Sequence, residues 1–162
     1  MEHSSRLKQI LVPVDGSTAS LEALSLACSL GKRDKGTVYT VYVIEVARSL
    51  PLDAELGPDV QQGEDVLSAA EKVAEELDCP VEGELLQARD AGHAIVDESI
   101  ERNVDAIILG VDVSEEGTAY DWPERGKPRA ITSEPKLGHV AQYILQNARC
   151  QVWLIRLARE AK

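Results

Sequence analysis

The feature that most constrains this chain is a short apolar run, residues 10–14, that ends at Asp15, Gly16 and Ser17. A run of about five apolar residues before turn-forming residues predicts a strand that is buried on both faces. Ser17 can cap a helix directly after the turn. A buried strand that leads straight into a helix makes a crevice at the strand's carboxyl end, where α/β proteins bind ligands. Asp15 is therefore a candidate ligand-binding residue; the alternative is that it only forms the turn.

The same alternation of apolar strand and amphipathic helix continues along the chain. The predicted strands cover residues 8–14, 37–44, 81–87, 105–110 and 151–156. The predicted helices cover 17–31, about 63–78, 90–102 and 137–147, with a loop over 46–62 and caps at Ser17 and Asp90. This order predicts an α/β fold: a doubly wound parallel sheet of five strands with helices on both faces.

Length and composition favour one domain over residues 1–162 with an aliphatic core, because phenylalanine is absent and aromatics make up only 4%. No apolar run approaches the roughly 20 residues that span a membrane, and none at the start is typical of a signal peptide. We therefore expect a cytoplasmic protein without a membrane partner. The net charge of −11 argues against nucleic acid as a partner.

Motifs that carry chemistry are sparse. Cys28, Cys79 and Cys150 form no CxxC pair, and the histidines show no ligand spacing, so we expect no metal. We interpret Cys28 and Cys150 as packing thiols. The sequence contains no phosphate loop of the GxxxxGK[ST] type, no GxGxxG, no GxSxG and no HExxH. We identify no catalytic residues and expect a protein that is not an enzyme.

A long insertion at about 111–136 separates the fourth strand from the fourth helix. Its charged part contains Arg125, Lys127 and Arg129. Loops of this length are usually functional or disordered. Two interpretations remain: a lid that brings cations over the crevice, or a solvated insertion.

Three ordered pieces carry a family resemblance: residues 8–17, residues 91–96 with 103–110, and residues 138–145 with 150–156. Together they resemble the universal stress protein family over nearly the whole chain, with gaps at about 46–64 and 111–136. The resemblance implies a sheet in the order 3-2-1-4-5, which places the last strand at an edge. It also implies a homodimer in which two last strands meet, through Val152, Trp153, Leu154 and Ile155.

The resemblance further implies where a nucleotide would bind. Members that bind ATP carry a glycine loop, G-x2-G-x9-G-[ST], between the fourth strand and the last helix. Here Gly110 matches the first glycine of this loop, Gly138 the last glycine, and His139 the hydroxyl position. If a nucleotide binds, the resemblance implies these binding residues: Pro13, Val14, Asp15, Val43, Gly110, Gly138, His139 and Val140. Asp15 takes the place of the acid on the ribose or adenine side, and the backbone near Val43 could hold adenine.

Three departures weaken that expectation. Val113 stands at the second glycine position, His139 stands at the hydroxyl position, and the loop is about twice as long. Asp112 adds a negative charge where phosphates would lie. We therefore expect a regulatory or stress-protective homodimer with a degenerate nucleotide site and commit to no cofactor, although ATP stays possible. The alternatives are an adenine-nucleotide sensor and, less favoured, a nucleotide-using enzyme, whose HxGH signature is missing.

Overall fold

The computed structural model describes residues 6–111 and 137–158 and contains one five-stranded sheet. The strands are β1 (Gln9–Pro13), β2 (Thr37–Glu45), β3 (Val81–Ala88), β4 (Ala106–Val111) and β5 (Gln151–Arg156). The helices are α1 (Thr18–Asp34), α2 (Gly57–Glu76), α3 (Ala91–Glu101) and α4 (His139–Asn147). The predicted α/β fold is confirmed. Most of the insertion, residues 112–136 with Val113, Arg125, Lys127 and Arg129, lies outside the described residues.

The strands are all parallel and lie in the order β3-β2-β1-β4-β5. The register pairs Leu11 of β1 with Tyr39 of β2 and with Ile107 of β4. The edge position of β5 that the family resemblance implied is confirmed. Within residues 6–111 and 137–158, no helix is both long and apolar enough to cross a membrane.

Two aliphatic cores lie on opposite faces of the sheet, as strand alternation requires. Ile10 and Val12 of β1 pack with α1 and α2 in the first core. Leu11 packs in the second core, which α3 and α4 cover. The central strands β1 and β4 are almost fully buried. Because they pack on both faces, the positions of their carboxyl ends are fixed relative to the helices.

The predicted cap of α1 is confirmed, because the Ser17 hydroxyl oxygen accepts a hydrogen bond from Ser20 N–H at 3.1 Å. The predicted stop at Gly31 is wrong. The helix continues to Asp34 and ends at Lys35, which adopts a left-handed conformation with φ 53°. Gly31 is instead a packing residue: a Cβ there would lie 3.1 Å from Val38 Cγ2 of β2.

The second helix begins at Gly57, inside the segment predicted as a loop, so that prediction is wrong over residues 57–62. Pro58 in the first turn fits a helix start, because its missing N–H would be unpaired there in any case. Gly63 brings this part of α2 close to the sheet, since a Cβ there would overlap Leu85 and approach Tyr42 Cδ1 at 2.8 Å.

The two edges of the sheet differ in chemistry. At the β3 edge, Glu82, Gly83 and Glu84 are exposed, and Arg102 at the end of α3 binds Glu84 at 2.6 Å. At the β5 edge the four apolar residues from Val152 to Ile155 are half-buried. Carboxylates protect one edge, whereas the other is apolar.

Candidate functional site

The carboxyl end of β1 forms a tight turn into α1. Val14 N–H donates to Val41 O at 2.9 Å, which extends the contact between β1 and β2 beyond Pro13. Asp15 is exposed, and its Oδ1 accepts a hydrogen bond from Ser17 N–H at 2.9 Å. Gly16 takes a φ of 90°, which a residue with a side chain rarely adopts. Asp15 is therefore a turn residue, and its exposed carboxylate keeps further acceptor capacity.

Val43 presents its backbone to the same crevice. Val41 O faces β1, because it accepts the hydrogen bond from Val14. Alternate residues of a strand direct their backbone groups to the same neighbour, so Val43 turns its N–H and C=O to the β1 side. The pairing of β1 with β2 ends at Pro13 and Val41, and Val43 lies beyond that point. The crevice therefore contains a donor and an acceptor that are side by side.

Gly110 lies on β4 below the first turn of α1. A Cβ at this position would overlap the carbonyl of Ala19 and lie 2.5 Å from Ser20 N. The glycine is required here by the close approach of α1 to β4. The resemblance assigned this residue to a phosphate loop, and the structure gives it a packing role at the same end of the sheet.

Gly138, His139 and Val140 form the start of α4. Gly138 is the N-cap residue and has no side chain to accept hydrogen bonds from the first turn. His139 is exposed, and attraction to it is the smallest of the causes that lower the pKa of Asp90, which lies after β3. The α4 helix packs on the start of α3 through Tyr143, since a Cβ on Gly92 would lie 3.1 Å from Tyr143 Cβ.

Asp90 and His93 link these two helices, and neither was predicted as a site residue. Asp90 Oδ1 accepts from His93 N–H at 2.9 Å and lies 2.7 Å from His93 Nδ1. The His93 ring stacks on Tyr143 of α4 with ring centroids 4.0 Å apart. Burial tends to raise the pKa of Asp90, but the hydrogen bonds from His93 outweigh it and hold the pKa below its usual value.

Carboxylates surround much of this end of the sheet. Glu45, the last residue of β2, accepts from Ala91 N–H at 3.0 Å and so covers the start of α3 together with Asp90. Burial raises the pKa of Tyr42, and the charges of Asp59 and Asp15 raise it further. An acidic residue at the end of β2 (Glu45) and another two residues after β3 (Asp90) were the signal in the sequence that could have revealed this acidic rim.

The predicted residues thus share one end of the sheet. Pro13, Val14 and Asp15 lie beside Val43 through the pairing of β1 with β2, and β4 carries Gly110 on the other side of β1. Gly138, His139 and Val140 approach through α4. No group of three His, Cys, Asp or Glu residues in residues 6–111 and 137–158 could hold a metal ion.

A doubly wound parallel sheet with a crevice at its switch point is typical of small α/β proteins that bind a ligand at that place. A sequence model of the universal stress protein family matches residues 6–156, so the chain belongs to that family.

The relatives are consistent with that assignment. The chain is 28% identical to universal stress protein MJ0531 of Methanocaldococcus jannaschii over 155 residues, which is 92% of this chain and 82% of that protein. A universal stress protein from Archaeoglobus fulgidus has a similar structure, with a TM-score of 0.69 at 20% identity over 91% of this chain and 98% of its own.

Two nucleotide complexes have the same fold. The A. fulgidus protein in complex with dAMP has a TM-score of 0.67 at 19% identity, covering 93% of this chain and 98% of its own. An Arabidopsis thaliana family member with AMP bound has a TM-score of 0.60 at 15% identity, covering 93% of this chain and 92% of its own.

Proposed function

We propose that this chain is a cytoplasmic regulatory or stress-protective homodimer without catalytic turnover, and that its nucleotide site is degenerate. The observation that carries the proposal is the acidic rim of the crevice. Asp90 caps α3, and His139 at the start of α4 is near enough to help lower the pKa of Asp90, while Glu45 accepts a hydrogen bond from Ala91 N–H. A helix start with free N–H groups attracts phosphate, whereas a carboxylate at that place repels it.

The base side of the crevice is better preserved than the phosphate side. Val43 offers a backbone N–H and C=O side by side, and adenine presents a matching acceptor and donor on one edge. Asp15 can accept hydrogen bonds from a ribose. The dAMP and AMP complexes of two structural neighbours support an adenine nucleotide as the ligand class.

Calorimetry with Mg-ATP tests the degenerate site. We expect a dissociation constant above about 10 μM, which corresponds to a binding free energy weaker than roughly −7 kcal/mol. AMP should bind at least as well as ATP, because its single phosphate meets less of the acidic rim. Tight binding of Mg-ATP would overturn the proposal.

The open backbone of Val43 also favours a second candidate, a sensor that holds an adenine nucleotide firmly. The two candidates differ in what the purified protein carries. A sensor should release about one nucleotide per chain when it is denatured, whereas a degenerate site should release almost none. Conversion of added ATP to product would instead support an enzyme and contradict both.

The homodimer rests on the open edge of β5. Gln151 N–H donates to Asp105 O on the β4 side at 3.2 Å, so Gln151 faces β4. By alternation, Val152 and Leu154 direct their N–H groups away from β4, toward the open edge. A second copy of β5 in antiparallel orientation would pair these groups and cover the half-buried Val152, Trp153, Leu154 and Ile155.

A further inference from the structure

The core between α1, α2 and the sheet contains two buried thiols. Cys28 of α1 has no exposed surface, and Cys79, which follows α2, is 6% exposed. Both belong to the first aliphatic core. Burial, together with the interaction with the Cys79 thiol, raises the pKa of Cys28 to about 12.

Hydrogen bonds hold the two segments in this arrangement. Lys32, one turn after Cys28, donates from Nζ to Leu77 O at 2.9 Å. Cys79 N–H donates to Ala74 O at 2.9 Å, so the chain after α2 folds back on the end of that helix. The end of α1 and the segment that carries Cys79 are therefore held together by hydrogen bonds.

Cys79 also borders a surface groove, whereas Cys28 lies behind it. The groove is lined by Glu71, Glu75, Asp78, Cys79, Pro80 and Val81. It lies at the amino end of β3, whereas the crevice lies at the carboxyl ends of the strands. Three carboxylates make the groove negative, which disfavours anionic oxidants and leaves a small neutral oxidant as the species that can enter.

We propose that Cys28 and Cys79 form a reversible intramolecular disulfide when the protein meets hydrogen peroxide. The Cys79 sulfur attacks one peroxide oxygen, the O–O bond breaks, and water leaves, which gives a sulfenic acid on Cys79. The Cys28 sulfur then attacks Cys79, the S–O bond breaks, and the leaving hydroxide takes the Cys28 proton as a second water. Overall, two thiols are oxidised and one peroxide is reduced to two waters.

The second step, in which Cys28 attacks Cys79, is slow in this environment. The Cys28 thiol, with a pKa of about 12, is ionised only to the order of one part in 100,000 at pH 7, and the thiolate is the attacking form. In a reducing cytosol the pair would stay reduced, and only sustained peroxide would oxidise it. The disulfide would then join α1 to the end of α2 and close a loop that includes all of β2.

Thiol mapping on the purified full-length protein tests the proposal. The protein is reduced, desalted, treated with millimolar hydrogen peroxide, alkylated under denaturing conditions and digested for mass spectrometry. We expect a peptide pair joined through Cys28 and Cys79, two hydrogen masses lighter than the reduced pair and restored by dithiothreitol. Oxidised glutathione, which is anionic, should act about tenfold more slowly.

Variants separate this pair from general thiol oxidation. Cys150→Ser, which removes a thiol in the other core, should keep the Cys28–Cys79 link at the parent rate. Cys28→Ala should leave Cys79 as a sulfenic acid that a dimedone probe captures. Two results in the parent protein, which needs no variant to fold, would overturn the proposal: Cys79 oxidised to sulfinic acid with Cys28 still reduced, or both thiols reduced after Cys150 has been oxidised.

Discussion

Gly110 lies so close to Ala19 that a single methyl group on it would overlap the Ala19 carbonyl. This contact joins the first turn of α1 to the end of β4 and thereby fixes the mouth of the crevice. The position of Asp15 relative to β4 depends on it, because the turn that carries Asp15 leads directly into α1. The spacing of one helix and one strand therefore sets the geometry of the candidate site.

Gly110→Ala should destabilise the protein by about 1–3 kcal/mol, because the added Cβ must push α1 away from β4. Urea unfolding followed by circular dichroism measures this change. Gly57→Ala is the matched control, since a Cβ at that position meets nothing within 4 Å. Equal stability of the two variants would contradict the packing role.

Asp15→Ala should weaken binding of AMP several-fold with a smaller effect on folding, because the exposed carboxylate supports one turn hydrogen bond and lies at the carboxyl end of β1, where we propose that the nucleotide binds. Calorimetry with AMP on parent and variant measures the difference. Asp97→Ala removes an exposed carboxylate from α3 and should leave AMP affinity unchanged. If both variants bind as the parent does, Asp15 is a turn residue alone.

Asp90→Asn should tighten binding of Mg-ATP a few-fold. The substitution removes the negative charge beside His139, while an asparagine oxygen can still cap α3 by accepting from His93 N–H. The gain should be smaller for AMP, which carries less phosphate charge. An unchanged or weaker ATP affinity would contradict the inhibitory role that we give to the acidic rim.

Leu154→Pro should shift the protein toward monomer in sedimentation experiments at tens of micromolar protein. The N–H lost is one that faces the open edge of β5, so the bonds to β4 stay intact. Leu154→Thr keeps this N–H and serves as the control, with a smaller shift expected. A parent protein that is already monomeric under these conditions would refute the β5 dimer.

Asp34 should make the protein sensitive to acid. The pKa of Asp34 is lowered from 3.8 to about 2. The main cause is the hydrogen bond with Arg33, and the second is the hydrogen bond from Leu7 N–H. A carboxylate whose pKa is lower in the folded state contributes stability above about pH 4 and loses it as the pH falls toward 2. Asp34→Asn should therefore show a smaller loss of stability between pH 4 and pH 2, measured by urea unfolding. A loss as large as that of the parent would show that Asp34 does not contribute.

The sequence predicted the strands well because β1 and β4 are buried on both faces, which leaves a continuous apolar signal. Helix ends were harder to predict. Gly31 looks like a helix stop by composition, but it is determined by contact with Val38, and such a contact is not visible locally. The start of α2 was missed because Gly57 and Gly63 lower its apolar pattern, although close packing on Tyr42 and Leu85 requires the second of them.

The candidate site was predictable only where backbone geometry determines it. Asp15 follows a recognisable strand, and its place at the strand end follows from the fold class. The pairing of His93 with Tyr143 and the proximity of Asp90 to His139 depend on how α3 packs on α4. The same holds for Cys28 and Cys79, which are far apart in sequence and meet only through packing of α1 on the end of α2.

The unequal edges of the sheet limit how large an assembly can become. If two copies join at β5, each contributes its β3 as an outer end of a continuous ten-stranded sheet. Both outer ends then carry Glu82 and Glu84, and a third copy that added through its own β3 would bring like charges into register. The acidic edge would therefore oppose pairing of β3 with β3 and favour a closed pair of subunits over a fibre.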